Sequence, residues 1–165
     1  MDKYYYLISQ LPELQFGKSS YMTSERFLEE AGKWLPLRDR KRLENIDFSV
    51  YEPESGDSDT VRLFKAFEEK FRKDLALWRE ARKKSRDYKP AMFPVSAVRE
   101  GNPLEKEQSL LRLRWQFIST LEQGHHFDFD YIALYYMKLQ IQDRLSLFEP
   151  EKGLERFQTL CKVSV

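Results

Sequence analysis

The sequence predicts an all-α fold: a single-domain helical bundle of about six to seven helices over residues 1–165. Apolar side chains recur at three- and four-residue spacing along most of the chain, which is typical of amphipathic helices. Charged residues make up 33% of the chain beside 41% hydrophobic ones, so most of these helices should have one solvated face. Residue types that start and stop helices separate the periodic segments.

The first segment, residues 3–11, is compatible with two structures. The tyrosine run at 4–6 favours a strand, because aromatic residues are enriched in sheets. However, Leu7 and Leu11 fall on the same helical face as the first tyrosine, which favours a helix. We expect a short helix that ends before Pro12, since proline disfavours the helical conformation of the residue before it.

Two short helices and an acidic loop follow. Thr23 or Ser24 is suited to cap a helix over residues 24–35. Pro36 breaks that helix and can start the next one. Residues 47–59 contain Pro53, Gly56 and a cluster of acids and serines, so they predict a loop.

The longest predicted helix covers about residues 58–87. Its apolar stripe stops after Ala81, whereas basic residues continue. The segment 62–90 carries 11 basic and five acidic side chains, a strong imbalance in a chain whose net charge is +1. We therefore expect the last turns to project into solvent or to contact a partner. The candidate partner-binding residues are Arg79, Arg82, Lys83, Lys84 and Arg86.

The second half of the chain predicts a connector, a helical hairpin and a last helix. Residues 89–101 contain two prolines and form the connector, and residues 102–148 form the hairpin at the core. Asn102 suits an N-cap and Gly124 suits the left-handed residue that ends a helix. The last helix should start at Pro150 and bury an apolar face consisting of Leu154, Phe157, Leu160 and Cys161.

The hairpin turn at 124–130 holds the one cluster of potential metal ligands or acid/base groups. Its candidate ligands are His125, His126, Asp128 and Asp130, with Glu122 just before them. Adjacent histidines point in different directions, and metal sites usually draw ligands at helical spacing or from separate elements. Either aspartate can cap the second helix of the hairpin. We expect a helix junction here, with no catalytic residue, metal or cofactor, and keep a metal-dependent enzyme as the alternative.

Other charged groups favour structural interpretations. Paired carboxylates at 29–30 and at 68–69 are expected on solvated helix faces. Arg112, Arg114 and Arg144 could pair with Glu107, Glu122 or Asp143, or could face a partner subunit. Weak nucleic-acid binding through residues 79–89 is a third hypothesis, which the near-zero net charge does not favour. The sequence contains no nucleophile elbow, phosphate loop or dinucleotide fingerprint, and no small-molecule substrate is evident.

Two stretches carry a family resemblance: KYYYLISQLPEL near the start and the segment from NPLEKEQSLL to EKGLERF near the end. Four motifs account for it: Asn102–Glu105, Arg114–Trp115, Gly124–His125 and Lys138–Ile141. Together they resemble an uncharacterised bacterial family encoded in V-type (A-type) ATP synthase operons. That family is similar in turn to the all-helical C (d-type) component of these enzymes, which caps the central shaft and couples it to the membrane ring.

The resemblance implies a non-enzymatic protein–protein interaction subunit or an assembly factor, similar to a reduced form of that helical C (d-type) component. The implied partners are V/A-type ATPase subunits on the central-stalk or membrane-ring side. No apolar run approaches the roughly 20 residues that span a bilayer, so we expect no direct membrane insertion. The start of the chain does not resemble a signal peptide. We expect a cytoplasmic protein that is peripheral to the membrane only through an ATPase complex.

Overall fold

The computed structural model describes residues 3–162, and this part of the chain is all-α with no strand, as predicted. It contains eight helices, which are α1 (Lys3–Ser9), α2 (Ser24–Trp34), α3 (Leu37–Glu44), α4 (Asp59–Lys83), α5 (Ser96–Arg99), α6 (Pro103–Leu121), α7 (Phe129–Ser146) and α8 (Pro150–Lys162). The first segment is a helix rather than a strand. The short helix α5 lies inside the segment predicted to be only a connector.

The predicted start residues do begin the helices of the hairpin. Asn102 and Glu105 form a capping box at α6, in which each side chain accepts a backbone N–H from the other residue at 2.9 Å. Asp128 caps α7 by accepting the backbone N–H of Tyr131 at 2.8 Å. Gly124 has φ 96° in the turn between the two helices, a conformation that favours glycine. These caps satisfy N–H groups that a helix leaves unpaired at its start.

Helix α7 is the centre of the bundle. It packs against α1, α2, α3, α4 and α6. Its buried residues are Phe129, Ile132, Ala133, Leu134, Tyr135, Tyr136, Met137, Lys138, Leu139 and Ile141. A helix that is apolar around most of its circumference must be enclosed by others, so the predicted central position is confirmed.

A second, smaller apolar cluster joins α4, α5 and α6. Its buried members are Phe71, Leu75, Phe93, Val98 and Leu110. Phe93 lies in the connector and packs edge-on against Phe71, with ring centroids 5.6 Å apart. The connector is thus part of the core rather than a surface tether.

The acidic loop predicted at 47–59 is present between α3 and α4. Lys65 of α4 pairs with Asp57 of the loop at 2.8 Å, and both side chains are almost fully buried. Arg72 donates to the carbonyl oxygen of Ser49 at 2.6 Å. These contacts fasten both ends of the loop to the long helix.

The long helix is shorter than the sequence predicted, since it ends at Lys83 instead of near residue 87. Ser85 follows with φ 50°, which reverses the chain direction. The buried carboxylate of Asp74 then accepts the backbone N–H groups of Ala91 and Met92, each at 2.8 Å. These hydrogen bonds hold the connector along α4, and a helix extended to residue 87 could not make them.

The predicted inward orientation of α8 is wrong. Leu154, Phe157 and Leu160 are 56%, 65% and 64% exposed, and Cys161 is exposed as well. In the described part of the chain, α8 packs against no other helix over an extended surface. Five other helices already pack against α7, so α8 is not needed to enclose it.

No helix within residues 3–162 is both long enough and apolar enough to cross a membrane.

Candidate functional site

The turn between α6 and α7 brings together three of the four predicted metal ligands. One ligand atom from each of His125, Asp128 and Asp130 lies within 4.8 Å of the other two. His126 does not join them: it is exposed, and its side chain makes no hydrogen bond or ion pair with any described residue. The described cluster therefore offers one imidazole and two carboxylates.

Both carboxylates of the cluster also have structural roles. Asp128 uses one oxygen to cap α7 and the other to bind Nδ1 of His125 at 2.7 Å. Asp130 accepts a hydrogen bond of 2.5 Å from the hydroxyl of Thr60, at the start of α4. The cluster thus joins the start of α7 to its own turn and to the long helix.

The charges of the cluster stabilise one another. The hydrogen bond that Nδ1 of His125 donates to Asp128 raises the pKa of His125 above its ordinary 6.5, and the negative charges of Asp128 and Asp130 add to this effect. Desolvation raises the pKa of Asp130, but hydrogen bonds from Ser58 and Thr60 and the charge of His125 outweigh it. The pKa of Asp130 is consequently lowered. The arrangement favours an imidazolium between two carboxylates.

Glu122 lies before this turn but belongs to a different contact. It pairs with Lys138 of α7 at 2.5 Å, and both side chains are mostly buried. The ammonium of Lys138 also lies 5.1 Å from the ring centroid of Trp115. This contact crosslinks the two helices of the hairpin.

Glu68 is not on a solvated face, contrary to the prediction for the carboxylates at 68–69. Its side chain is fully buried and accepts two hydrogen bonds from Arg114, each 2.8 Å long. Arg72 adds a third at 2.6 Å. Glu69 does face solvent, where it pairs with Lys73. At the other pair, Glu30 forms a surface ion pair with Lys33.

The remaining arginines of the hairpin have separate partners. Arg144 pairs with Glu107 at 2.7 Å, which is one of the pairings that the sequence allowed. Arg112 lies over the ring of Phe16, 4.5 Å from its centroid. Asp143 accepts a hydrogen bond from the backbone N–H of Ser24 at 3.1 Å. None of these contacts assembles a further group of catalytic side chains within residues 3–162.

The five cations proposed to bind a partner are all exposed, and they separate into two groups. Arg79, Arg82 and Lys83 border a cleft of about 430 Å³ whose floor is apolar. Lys84 instead forms an ion pair with Glu80, and Arg86 lies outside the cleft. The cleft also contains a cation from another helix.

That cation is Lys106, at the start of α6, which the sequence pattern did not single out. Lys106 lies more than 20 positions from Arg79, Arg82 and Lys83 in the sequence and outside the basic segment 62–90. The packing of α6 against α4 brings the two segments to the same cleft. No local sequence signal could have shown this.

These features define the class of the protein as an all-α helical bundle with buried ion pairs and a capped helix junction. No protein-family model, no curated protein and no solved structure matches the chain.

Proposed function

We propose that this chain is a non-enzymatic interaction subunit or assembly factor associated with a V/A-type ATP synthase. The observation that carries the proposal is the outward-facing apolar surface of α8. Leu154 and Phe157 lie one turn apart on this helix and are more than half exposed. The ring of Phe157 makes no stacking or cation–π contact with any described side chain. Contiguous exposed apolar side chains of this kind mark protein–protein interaction sites.

The shape of α8 suits one mode of recognition. It is a 13-residue amphipathic helix that packs against no other described helix over an extended surface. Amphipathic helices commonly bind by laying an apolar face into a groove of the partner, with anchors at three- and four-residue spacing. Leu154 and Phe157 have this spacing. The groove would belong to an ATPase subunit on the central-stalk or membrane-ring side.

The chemistry of the hairpin turn supports a structural role for that region. Asp128 and Asp130 are engaged in hydrogen bonds that hold the start of α7. The resemblance of this region to a family that is similar in turn to a non-enzymatic ATPase subunit points in the same direction. A role in assembly and a role in the finished complex both remain within the proposal.

Purification from the native cells tests the proposal directly. The tagged full-length protein should recover ATPase subunits, identified by mass spectrometry, at several salt concentrations. A variant with Leu154→Glu and Phe157→Glu should lose them, because two charges would enter an apolar contact. Leu37→Glu with Leu63→Glu is the matched control, since these residues are 68% and 56% exposed on helices other than α8. Recovery without any ATPase subunit at every salt concentration would reject the proposal.

A metal-dependent enzyme is the second candidate, and the grouping of His125, Asp128 and Asp130 within 4.8 Å favours it. Imidazole and carboxylate are ligands of zinc, iron and manganese. Elemental analysis of purified protein should then find one of these metals in stoichiometric amount. It should disappear in Asp130→Asn and persist in His126→Gln. Substoichiometric metal after incubation with each ion would reject this candidate.

A further inference from the structure

The cleft at the basic end of α4 has an apolar floor and a cationic rim. Trp78, Val98 and Leu110 form the floor, and the latter two are only 5% and 6% exposed. Trp78 packs against the smaller apolar cluster of the core. The floor is therefore the outer surface of that cluster, and the rim is built on two different helices.

The positive charges of the rim are not neutralised by neighbouring carboxylates. Arg79, Lys83 and Lys106 form no ion pair with any residue in the range 3–162, and no carboxylate lines the cleft. The nearby carboxylates are committed elsewhere, since Glu80 binds Lys84 and Glu107 binds Arg144. Unpaired cations at the edge of an apolar surface attract an anion that also carries an apolar group.

We propose that this cleft binds an acidic peptide segment in which an apolar side chain is flanked by carboxylates. The apolar side chain would lie on Trp78, Val98 and Leu110, which removes apolar area from water. The flanking carboxylates would pair with Arg79, Lys83 and Lys106. Arg82, whose guanidinium lies 5.2 Å from the ring centroid of Trp78, covers one side of the floor.

The cleft is better suited to a peptide than to a nucleic acid. Non-specific binding of single strands relies on several aromatic platforms along a continuous basic groove. This cleft has one aromatic side chain, Trp78, and a cation already lies over it. Val98 and Leu110 are aliphatic and give a base no ring to stack on. These two residues instead provide an apolar surface on which an aliphatic or aromatic side chain of a peptide can be buried.

The proposal goes beyond the ATPase association and does not depend on α8. The cleft is lined by α4, α5 and α6 and by no residue of α8. The α8 variant with Leu154→Glu and Phe157→Glu should therefore keep full affinity for an acidic peptide. Failure of the peptide test and failure of the ATPase test can be told apart in this way.

Fluorescence anisotropy with labelled synthetic peptides provides the test. The probe is the peptide EELFEE, and its controls are EESSEE, which keeps the charge, and KKLFKK, which reverses it. The full-length protein should bind EELFEE, with affinity that falls as salt rises. It should bind EESSEE at least about tenfold more weakly, because this peptide lacks the leucine and phenylalanine side chains that would lie on the apolar floor. It should not bind KKLFKK.

Two double variants separate the cleft from the basic surface as a whole. Arg79→Glu with Lys106→Glu should weaken binding of EELFEE by on the order of tenfold. Lys84→Glu with Arg86→Glu changes the net charge by the same amount outside the cleft. This variant should weaken binding of EELFEE by less than about twofold. Circular dichroism checks that both remain folded.

Several results would overturn the proposal. They are the absence of EELFEE binding, equal binding of EESSEE, and equal losses in the two double variants. A single-stranded oligonucleotide that binds more tightly than EELFEE and loses affinity in Trp78→Ala would replace the peptide with a nucleic acid.

Discussion

Arg114 of α6 donates two parallel hydrogen bonds to the carboxylate of Glu68 on α4, from Nε to Oε2 and from a terminal nitrogen to Oε1, each 2.8 Å long. Glu68 is fully buried and Arg114 is 9% exposed. The guanidinium also lies 4.8 Å from the ring centroid of Phe71. The pair connects the long helix to the hairpin where the two apolar clusters meet. Both charges of the pair are removed from water, so each charged group needs the other to compensate for its lost hydration.

Removing one member of this pair should be strongly destabilising. Glu68→Ala leaves the Arg114 guanidinium buried without its main partner. We expect a loss of about 3–5 kcal/mol in the free energy of unfolding, measured by urea denaturation. Replacing both residues by apolar ones, Glu68→Leu with Arg114→Met, should recover most of this loss because no unpaired charge remains.

The neighbouring Glu69 provides the control. It is exposed, pairs only with Lys73, and should be replaceable by alanine without a change in the urea midpoint. If Glu68→Ala and Glu69→Ala lowered the midpoint equally, the contribution of Glu68 would come from the surface of α4 rather than from the buried pair.

Glu68 also shows what the sequence could and could not reveal. It follows Phe64 by four residues and precedes Phe71 by three, so it lies within the apolar stripe of α4. That position was a usable signal of burial. The identity of its partner was not accessible, because the contact with Arg114 spans 46 positions and depends on how α4 and α6 pack.

The same distinction separates the starts of α6 and α7, which the sequence could predict, from the direction in which the apolar face of α8 points, which it could not. The caps at Asn102 and Asp128 were predictable because each satisfies N–H groups within three residues. The period of Leu154 and Phe157 correctly predicts an amphipathic helix. Periodicity does not state whether the apolar face meets the core or a partner, since that depends on which surfaces the other helices leave uncovered.

Asp74 should control the connector after α4. Its carboxylate accepts the Tyr88 hydroxyl at 2.5 Å as well as the backbone N–H groups of Ala91 and Met92. Asp74→Ala leaves these donors without an acceptor, and we expect a loss of about 1–3 kcal/mol in unfolding free energy. Trypsin should cleave the variant faster after Arg86.

Glu52→Ala is the control for this experiment. Glu52 is exposed and is not adjacent to a lysine or an arginine, and its side chain makes no hydrogen bond or ion pair with any described residue. Cleavage of Glu52→Ala should therefore match that of the unmodified protein. Equal acceleration in both variants would mean that Asp74 does not hold the connector.

Asn102→Ala should weaken the start of α6. The substitution removes the side-chain acceptor of the capping box, while the Glu105 carboxylate keeps its bond to the backbone N–H of residue 102. We expect a loss of about 1 kcal/mol in unfolding free energy and faster amide hydrogen exchange at Glu105. Asn45→Ala is the control, because Asn45 is exposed and its side chain caps no described helix. Equal losses would contradict the assignment.

The His125–Asp128 contact predicts a pH-dependent stability. The folded pKa of His125 is raised above 6.5, chiefly by the hydrogen bond to Asp128, so the folded protein holds this proton more tightly than the unfolded chain. The resulting stabilisation is complete below about pH 6.5 and is lost as pH rises through the higher folded pKa. His125→Gln should therefore flatten the dependence of unfolding free energy on pH between about pH 6 and pH 8.

Asp128→Asn separates the effect of the negative charge of Asp128 on His125 from its role as the N-cap of α7. Asparagine caps helices as well as aspartate does, so the Tyr131 N–H keeps its acceptor while the negative charge beside His125 is removed. The pKa of His125, followed by the NMR shift of its imidazole protons, should fall in this variant. His126→Gln should leave that pKa unchanged, because His126 lies outside the cluster. A His125 pKa that is unaffected by Asp128→Asn would mean that the hydrogen bond does not hold the proton in solution.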